Sequence, residues 1–450
     1  MAKTYKIRKG LDIKLKGEPL PEMKGQISAK YFVLRPDDFF GIIPKLKLKK
    51  NDTVKRGEVV YFDKNIPEIF FTSPVSGKIL DIIRGEKRKI IEIIIEADEK
   101  DELVKFDITN DFTDNPELLK NILLASGAWP LIKQRPYGIV ANPNDKPRDI
   151  FISFFDSAPL TADFDFILKD KKEQINTALK ALKNFTGSKL FLNFKKDSKL
   201  VDIIDNKGDY EINYFDGPHP AGLVGVQINH IKPVNKGDIV WTINAADLVI
   251  VGNILLTGEY YPERTVALSG SEIKNPGYYK IVAGSDIKEI IKNNTENNNY
   301  RVISGSVLTG RNVSDNPSLG FFDTTITVIP EGNHYEMFGW AAPGLNKLSN
   351  SKTFLSALIP NKKFEIDTNL HGGERAYVVT GEYEKVCPMD IYPQLLVKAV
   401  ITEDIDKMEQ LGIYEVIEED LALCEFVCTS KIEVQSIIRS GLELIRKEMS

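Results

Sequence analysis

Three cysteines, Cys387, Cys424 and Cys428, fall at intervals that suit the ligands of iron–sulfur clusters. The run C-x2-C-x2-C-x3-C-P supplies such clusters with anionic sulfur. Counted back from Cys387-Pro388, it asks for thiolates at Tyr377, Thr380 and Tyr383. Counted back from Cys428, it is met at Cys424 but asks for thiolates at Leu421 and Glu418, and Thr429 replaces the proline. A phenol, a leucine side chain or a lone carboxylate cannot hold that iron. The spacing of an electron carrier therefore persists without its ligands, which points to a chain that positions redox chemistry done elsewhere. Cys424 and Cys428 are four apart, which on a helix puts both sulfurs on one face. A zinc site there needs two more donors, and His219, His230, His334 and His371 offer no partner close in sequence. These thiols read as core residues, with no metal ligands assigned.

A second string with chemical capacity is Gly217-Pro-His-Pro-Ala-Gly-Leu-Val-Gly225. Its prolines fix the backbone on both sides of His219, and its glycines permit close approach of another group. An imidazole held this way can hydrogen-bond a carbonyl or pass it a proton. The same residues also suit a stiff turn packed on a neighbouring domain. His371-Gly-Gly-Glu374 can offer backbone amides to an anion, but reads first as a turn between strands.

Composition narrows the class. The 450 residues allow two to four domains with their own cores. Apolar residues at 42% and charged residues at 27% are ordinary for a globular protein. A net charge of −5, with no basic patch interleaved with aromatics, argues against nucleic acid. The first residues lack the apolar core of a secretory signal. The stretch from Ile239 to Leu256 is interrupted by Asn244, Asp247, Gly252 and Asn253, short of the roughly 20 apolar residues of a membrane span. The chain reads as cytosolic.

The elements that must position these residues change along the chain. Gln26 to about Ala97 reads as short strands and turns, with Ile90 to Ile95 as a buried strand. Lys50 to Val60 and Thr72 to Ile79 resemble the half-barrel repeats of biotinyl/lipoyl domains. At the hairpin where that family carries its modified lysine, this chain has Ile66-Pro67, with Lys64 out of place. Pro116 to Ser126 spaces apolar residues for a helix face behind an Asn115 cap. The runs at 149–155, 189–194 and 238–243 read as strands, alternating with helices at 169–182 and 245–256. Such alternation implies an α/β layer with a partly parallel sheet. Arg264 to Gly310 is similar to the soluble-ligand-binding β-grasp (SLBB) module. Beyond about Asn333 the pattern reads as helical.

Several strings, in order, carry a resemblance along the whole chain: Lys9-Gly-Leu-Asp12, Ser73-Pro-Val-Ser-Gly77, Phe215 to Gly225, Ser269-Gly270 with Asn275-Pro-Gly277, and Cys387-Pro-Met-Asp-Ile-Tyr-Pro393. On these the chain resembles the NqrA family, the A component of sodium-translocating NADH:quinone reductases (Nqr). It is more distantly similar to the C component of the Rnf electron-transfer complex and to the NADH-binding subunit of complex I. The resemblance implies an α+β multidomain chain. Residues 1–100 would form a barrel-sandwich hybrid, 101–257 a Rossmann-like α/β domain, 258–332 a β-grasp domain, and 333–450 a helical domain resembling a ferredoxin frame without clusters.

The resemblance also implies a peripheral component of a translocase on the cytoplasmic face of the bacterial inner membrane. FAD, FMN, riboflavin, the iron–sulfur centre and quinone would belong to other subunits, and this chain would dock on the membrane subunits without a cofactor. The Rnf and complex I relatives hold flavin with a glycine-rich loop. Here the equivalent stretch, Ala125-Ser-Gly-Ala-Trp-Pro-Leu-Ile-Lys133, keeps one glycine and carries Trp129 and Pro130, which would obstruct a flavin phosphate. Trp129, Arg135 and Tyr137 would occupy the flavin's place, lining a quinone pocket with His219 or simply filling it. Two other readings remain: a docking scaffold without quinone contact, and an Rnf-type electron-transfer subunit.

Overall fold

The computed structural model describes residues 2–108, 115–334, 336–339 and 341–449. Within the stretch 1–100, the first 27 residues pair outside the barrel's own two sheets. Strand β1 (Lys3–Lys6) and strand β2 (Met23–Gln26) each leave to join a sheet formed by later residues. The barrel proper follows as β3 (Tyr31–Leu34), β4 (Pro44–Leu46), β5 (Thr53–Val54), β6 (Val59–Asp63), β7 (Phe70–Thr72), β8 (Gly77–Arg84) and β9 (Ile90–Ala97). Its two sheets run β3-β9-β8-β5 and β4-β6-β7. Tyr61 and Phe71 stack with ring centroids 4.5 Å apart in the barrel core. On β9, Ile90, Ile93 and Ile95 face this core while Ile91 faces solvent beside a register shift, so the strand is not wholly buried.

The α/β layer comprises α1 (Pro116–Ala125), β10 (Lys133–Arg135), β11 (Ile139–Val140), β12 (Asp149–Ser153), α2 (Phe164–Ile167) and α3 (Lys172–Thr186). It continues through β13 (Lys189–Lys195), β14 (Glu211–Asp216), α4 (Val224–Ile231), β15 (Val240–Asn244) and α5 (Ala245–Thr257). Asn115 and Asn244 cap α1 and α5, accepting from Leu118 N and Ala246 N. The sheet order is β1-β14-β13-β12-β15-β10-β11. The pairs from β1 through β15 are parallel, and β10 and β11 close one edge antiparallel. The strand order reverses about β12, so a topological switch point lies between β12 and β15, as in doubly wound folds. Every residue of β12 is buried, as a central parallel strand requires.

A third layer holds β16 (Glu263–Ser269), β17 (Gly277–Val282), α6 (Lys288–Asn294), β18 (Tyr300–Ser304), β19 (Arg311–Asn312) and β20 (Thr325–Pro330). Its sheet runs β19-β18-β20-β16-β17-β2, with β16 and β20 parallel at the centre. Gly17 approaches this sheet so closely that a Cβ would lie 2.1 Å from Gly270 O.

Helical structure starts later than the expected 333. Among the described residues, the segment from 333 to 382 contains only one short 3-10 turn, at Leu355–Leu358. His371 to Glu374 lies there, exposed and without flanking strands. The helices are α7 (Tyr383–Val386), α8 (Pro393–Ile401), α9 (Ile405–Gln410), α10 (Ala422–Phe426) and α11 (Val434–Met449). On α11, Val434, Ile438, Gly441, Leu442 and Ile445 form the buried stripe of an amphipathic helix. Among the described residues, no helix is long and apolar enough to cross a membrane.

Candidate functional site

The crevice of an open α/β sheet lies beyond the carboxyl ends of its strands at the switch point. Here its β12 side is lined by the chain's own polar groups. Ser153, at the end of β12, has its Oγ 2.9 and 3.1 Å from the carbonyls of Phe155 and Gly222, which share its one proton. Gln227 of α4 donates to Ser153 Oγ at 2.9 Å. His219 sits on the loop leaving β14, 2% exposed, between the cis His219–Pro220 peptide and Pro218.

Its Nδ1 lies 3.0 Å from Ser157 Oγ, which accepts from Gly222 N at 2.8 Å, and its backbone N–H donates to Asp12 at 2.9 Å. Its Nε2 is buried without a hydrogen-bond partner among the described residues. Burial pushes the imidazole pKa below its ordinary value, against the pull of Asp156 and Asp12. The result is a buried ring with one unused nitrogen. Gly10 lets the chain after β1 pass this loop, since a Cβ there would meet His219 O at 2.2 Å. Two strings far apart in sequence, Lys9–Asp12 and Phe215–Gly225, thus build one structure.

The other three candidates lie elsewhere. Trp129 is 0% exposed within the core of the α/β layer. Its indole N–H donates to Ala141 O at 2.7 Å, and its ring meets Trp241 and Phe185 edge-on at 5.6 and 5.9 Å. The preceding Gly127 has a left-handed φ of 75°, and a Cβ there would lie 2.4 Å from Thr72 Oγ1. Thr72 in turn donates to Ser126 O at 3.0 Å. The loop is thereby clamped between barrel and α/β layer, with its tryptophan turned inward.

Arg135 is 1% exposed and reaches the C-terminal helices. Its Nη1 meets Asp420 Oδ2 at 2.5 Å and its Nη2 lies 3.4 Å from Glu419. Burial opposes the guanidinium charge, but Asp420 with Glu419 and Glu418 outweighs it and the pKa rises. Gly225, at the start of α4, makes room for the Asp420 carboxylate, which a Cβ would strike at 2.2 Å. Tyr137 is half-buried, its ring 6.5 Å from Tyr414 and its carbonyl accepting from Arg439 at 2.7 Å. Arg439 also pairs with Glu418. Arg135 and Tyr137 therefore share one interdomain contact, Trp129 belongs to a core, and His219 stands apart from both. Asp420 and Ser157 were not singled out from sequence. Asp420 lies inside the incomplete ligand run, but nothing local marks it as the partner of Arg135.

The thiols are buried in the helical region. Cys428 lies beyond the end of α10, so the expected shared helix face with Cys424 does not form. Cys387 instead adjoins Cys424, which lowers the Cys387 pKa, while burial and Cys387 raise that of Cys424. Cys428 adjoins Tyr383, whose ring lies 6.3 Å from that of Tyr377. Burial raises both tyrosine hydroxyls. The last cysteine of each run is thus next to the other run. Among the described residues, no group of three or more His, Cys, Asp or Glu side chains is placed to hold a metal ion.

Family models match the chain in three pieces. They are the NqrA N-terminal barrel-sandwich hybrid domain over residues 5–98, the NqrA second alpha/beta domain over 115–260, and the NQRA C-terminal domain over 265–315. The A component of the Na(+)-translocating NADH-quinone reductase of Serratia proteamaculans (strain 568) is 37% identical over 448 residues, covering 98% of this chain and 99% of that one. Its counterpart in Haemophilus influenzae (strain PittGG) is 37% identical over 445 residues with the same coverage. That of Neisseria meningitidis serogroup B (strain ATCC BAA-335 / MC58) is 36% identical over 452 residues, covering 98% and 99%. Among solved structures, NAD+-reducing [NiFe]-hydrogenase in the H2-reduced state aligns with TM-score 0.40 and 11% identity, over 75% of this chain and 62% of that one. That overlap is too loose to carry a functional reading.

Proposed function

The chain belongs to the NqrA family, the A component of the Na(+)-translocating NADH-quinone reductase, and on that premise we propose that it is a redox-silent, peripheral subunit that docks on the membrane subunits of such an enzyme. It would sit at the cytoplasmic face of the bacterial inner membrane, while other subunits hold FAD, FMN, riboflavin, the iron–sulfur centre and quinone.

The observation that carries the redox-silent reading is the crossing of the cysteines. In two-cluster ferredoxins, the fourth cysteine of each run ligates the other run's cluster. Cys387 beside Cys424, and Cys428 beside Tyr383 and Tyr377, follow that crossed plan. At one position two thiols remain, where the run asks for further thiolates at Leu421 and Glu418. At the other a single thiol faces two phenols. The helical region reads as a ferredoxin frame whose cluster space has been taken over by side chains. The loop with Trp129 at its centre suits the same history, since its polar contacts are spent within the chain.

Docking is supported by the segment between 333 and 382. Met337 is 85% exposed and Leu358 78%, and Leu370 and Val379 are also exposed. Long stretches without secondary structure inside compact proteins are usually either functional or linkers, and this one presents apolar side chains that a partner subunit would cover. Replacing Leu358 and Leu370 together by Glu should leave the chain folded and cut its co-purification with the remaining subunits by about tenfold or more, the loss of roughly 1.4 kcal/mol or more of binding energy. Unchanged co-purification would exclude docking through this segment. Quinone access is the second reading, favoured by the free Nε2 of His219. A quinone carbonyl reaches that nitrogen only if the Pro218–Pro220 loop opens, so docking is the stronger reading. Photo-crosslinking of a quinone analogue to this chain in the assembled enzyme would reverse that order.

A further inference from the structure

The hairpin formed by β8 and β9 overhangs its sheet. β5 pairs with β8 only at Gly77 and Lys78, and β3 pairs with β9 only from Ile93 to Glu96. From Ile82 to Ile91 the hairpin therefore has no neighbouring strand, although Ile90 stays in the barrel core and only the turn beyond it reaches outward. Its tip reads Arg84-Gly-Glu-Lys-Arg-Lys89, a concentration of positive charge on a chain of net charge −5. Lys89 pairs with Asp37 at 2.8 Å, and Arg84 donates to Arg88 O at 3.0 Å. Among the described residues, no carboxylate forms an ion pair with Arg84, Lys87 or Arg88. Ile83 and Ile91, each 39% exposed, flank the tip on the two strands.

Lys87 and Arg88 both hold left-handed backbone, at φ 51° and 63°. Glycine or asparagine would occupy those positions with less strain. Long cations kept at strained positions point to a use for the side chains themselves.

We propose that this tip rests on an anionic lipid surface, with Arg84, Lys87 and Arg88 on phosphate headgroups and Ile83 and Ile91 at the boundary with the acyl chains. Cations beside exposed aliphatic side chains are the combination that binds such interfaces. An acidic protein segment would use the charges but leave the two isoleucines uncovered. The inference rests on the reading of the chain as a peripheral subunit of a membrane enzyme, and it adds a lipid contact distinct from docking between subunits.

The test is co-sedimentation of the full chain with vesicles of phosphatidylcholine alone, or of equal parts phosphatidylcholine and phosphatidylglycerol. Binding should require phosphatidylglycerol and weaken as salt is raised. Lys87→Ser with Arg88→Ser should lower the partition coefficient about thirtyfold, as expected for two surface cations. Lys195→Ser, away from the hairpin, should leave it unchanged. Serine is also no more strained at the two turn positions, so loss of folding is not expected, and the far-UV spectrum checks this. Absence of binding to the mixed vesicles would overturn the proposal, as would equal binding by the double variant. So would a double variant that binds vesicles normally but fails to assemble with its partner subunits. The Leu358 and Leu370 variant should bind vesicles like the parent chain, so failure of docking and failure of lipid contact are separable.

Discussion

Asp420→Ala is expected to destabilise the chain by about 3–5 kcal/mol, because it strands a buried guanidinium. Asp420 is the main partner of Arg135, and its side chain is fully enclosed. Its Oδ2 also accepts from Ile417 N at 2.9 Å, which closes the turn leading into α10. Removing the carboxylate leaves Arg135 with Glu419 alone, at 3.4 Å. Replacing both partners, with Arg135→Met and Asp420→Leu, should cost less than Asp420→Ala, since no unpaired charge then remains in the interior. Urea unfolding followed by tryptophan fluorescence measures both. A shift of less than about 1 kcal/mol for Asp420→Ala would show that the contact does not clamp the α/β layer to the C-terminal helices.

The second large effect concerns the loop around Trp129, clamped between the barrel and the α/β layer. Trp129→Ala should also cost about 3–5 kcal/mol, from lost transfer energy and the cavity left beside Trp241 and Phe185. It orphans the Ala141 carbonyl as well, which accepts the indole N–H. Trp129→Phe should recover most of the packing but not that hydrogen bond. The near-UV circular dichroism contributed by the Trp129–Trp241 pair should disappear in both variants. A Trp129→Ala chain as stable as its parent would mean that the indole only covers a surface.

Local signals carried much of this architecture. The alternating strands and helices from Pro116 to Leu256, and the caps at Asn115 and Asn244, follow from apolar periodicity and side-chain hydrogen bonding, both of which act over a few residues. What escaped was long-range. β1 pairs with β14, and β2 with β17, so residues assigned by position to a barrel complete two other sheets. No local preference encodes that choice. The same limit hid the partner of Arg135, which lies 285 residues away in the chain. It also scattered the four candidate residues. Trp129, Arg135 and Tyr137 share one stretch of sequence, yet a strand and its turns aim them into a core and an interdomain seam. Residues 333–382 differ in another way: helix is expected from about Asn333, whereas the described residues there hold one short 3-10 turn and turn several apolar side chains outward.

The central proposal is a chain that keeps the outline of a redox protein without holding a redox cofactor of its own. The direct measurement is flavin, iron and acid-labile sulfide per chain, determined on the polypeptide purified without its partner subunits under anaerobic conditions. Trace amounts of all three and no visible absorption are expected. Flavin or sulfide bound in stoichiometric amounts would contradict the proposal.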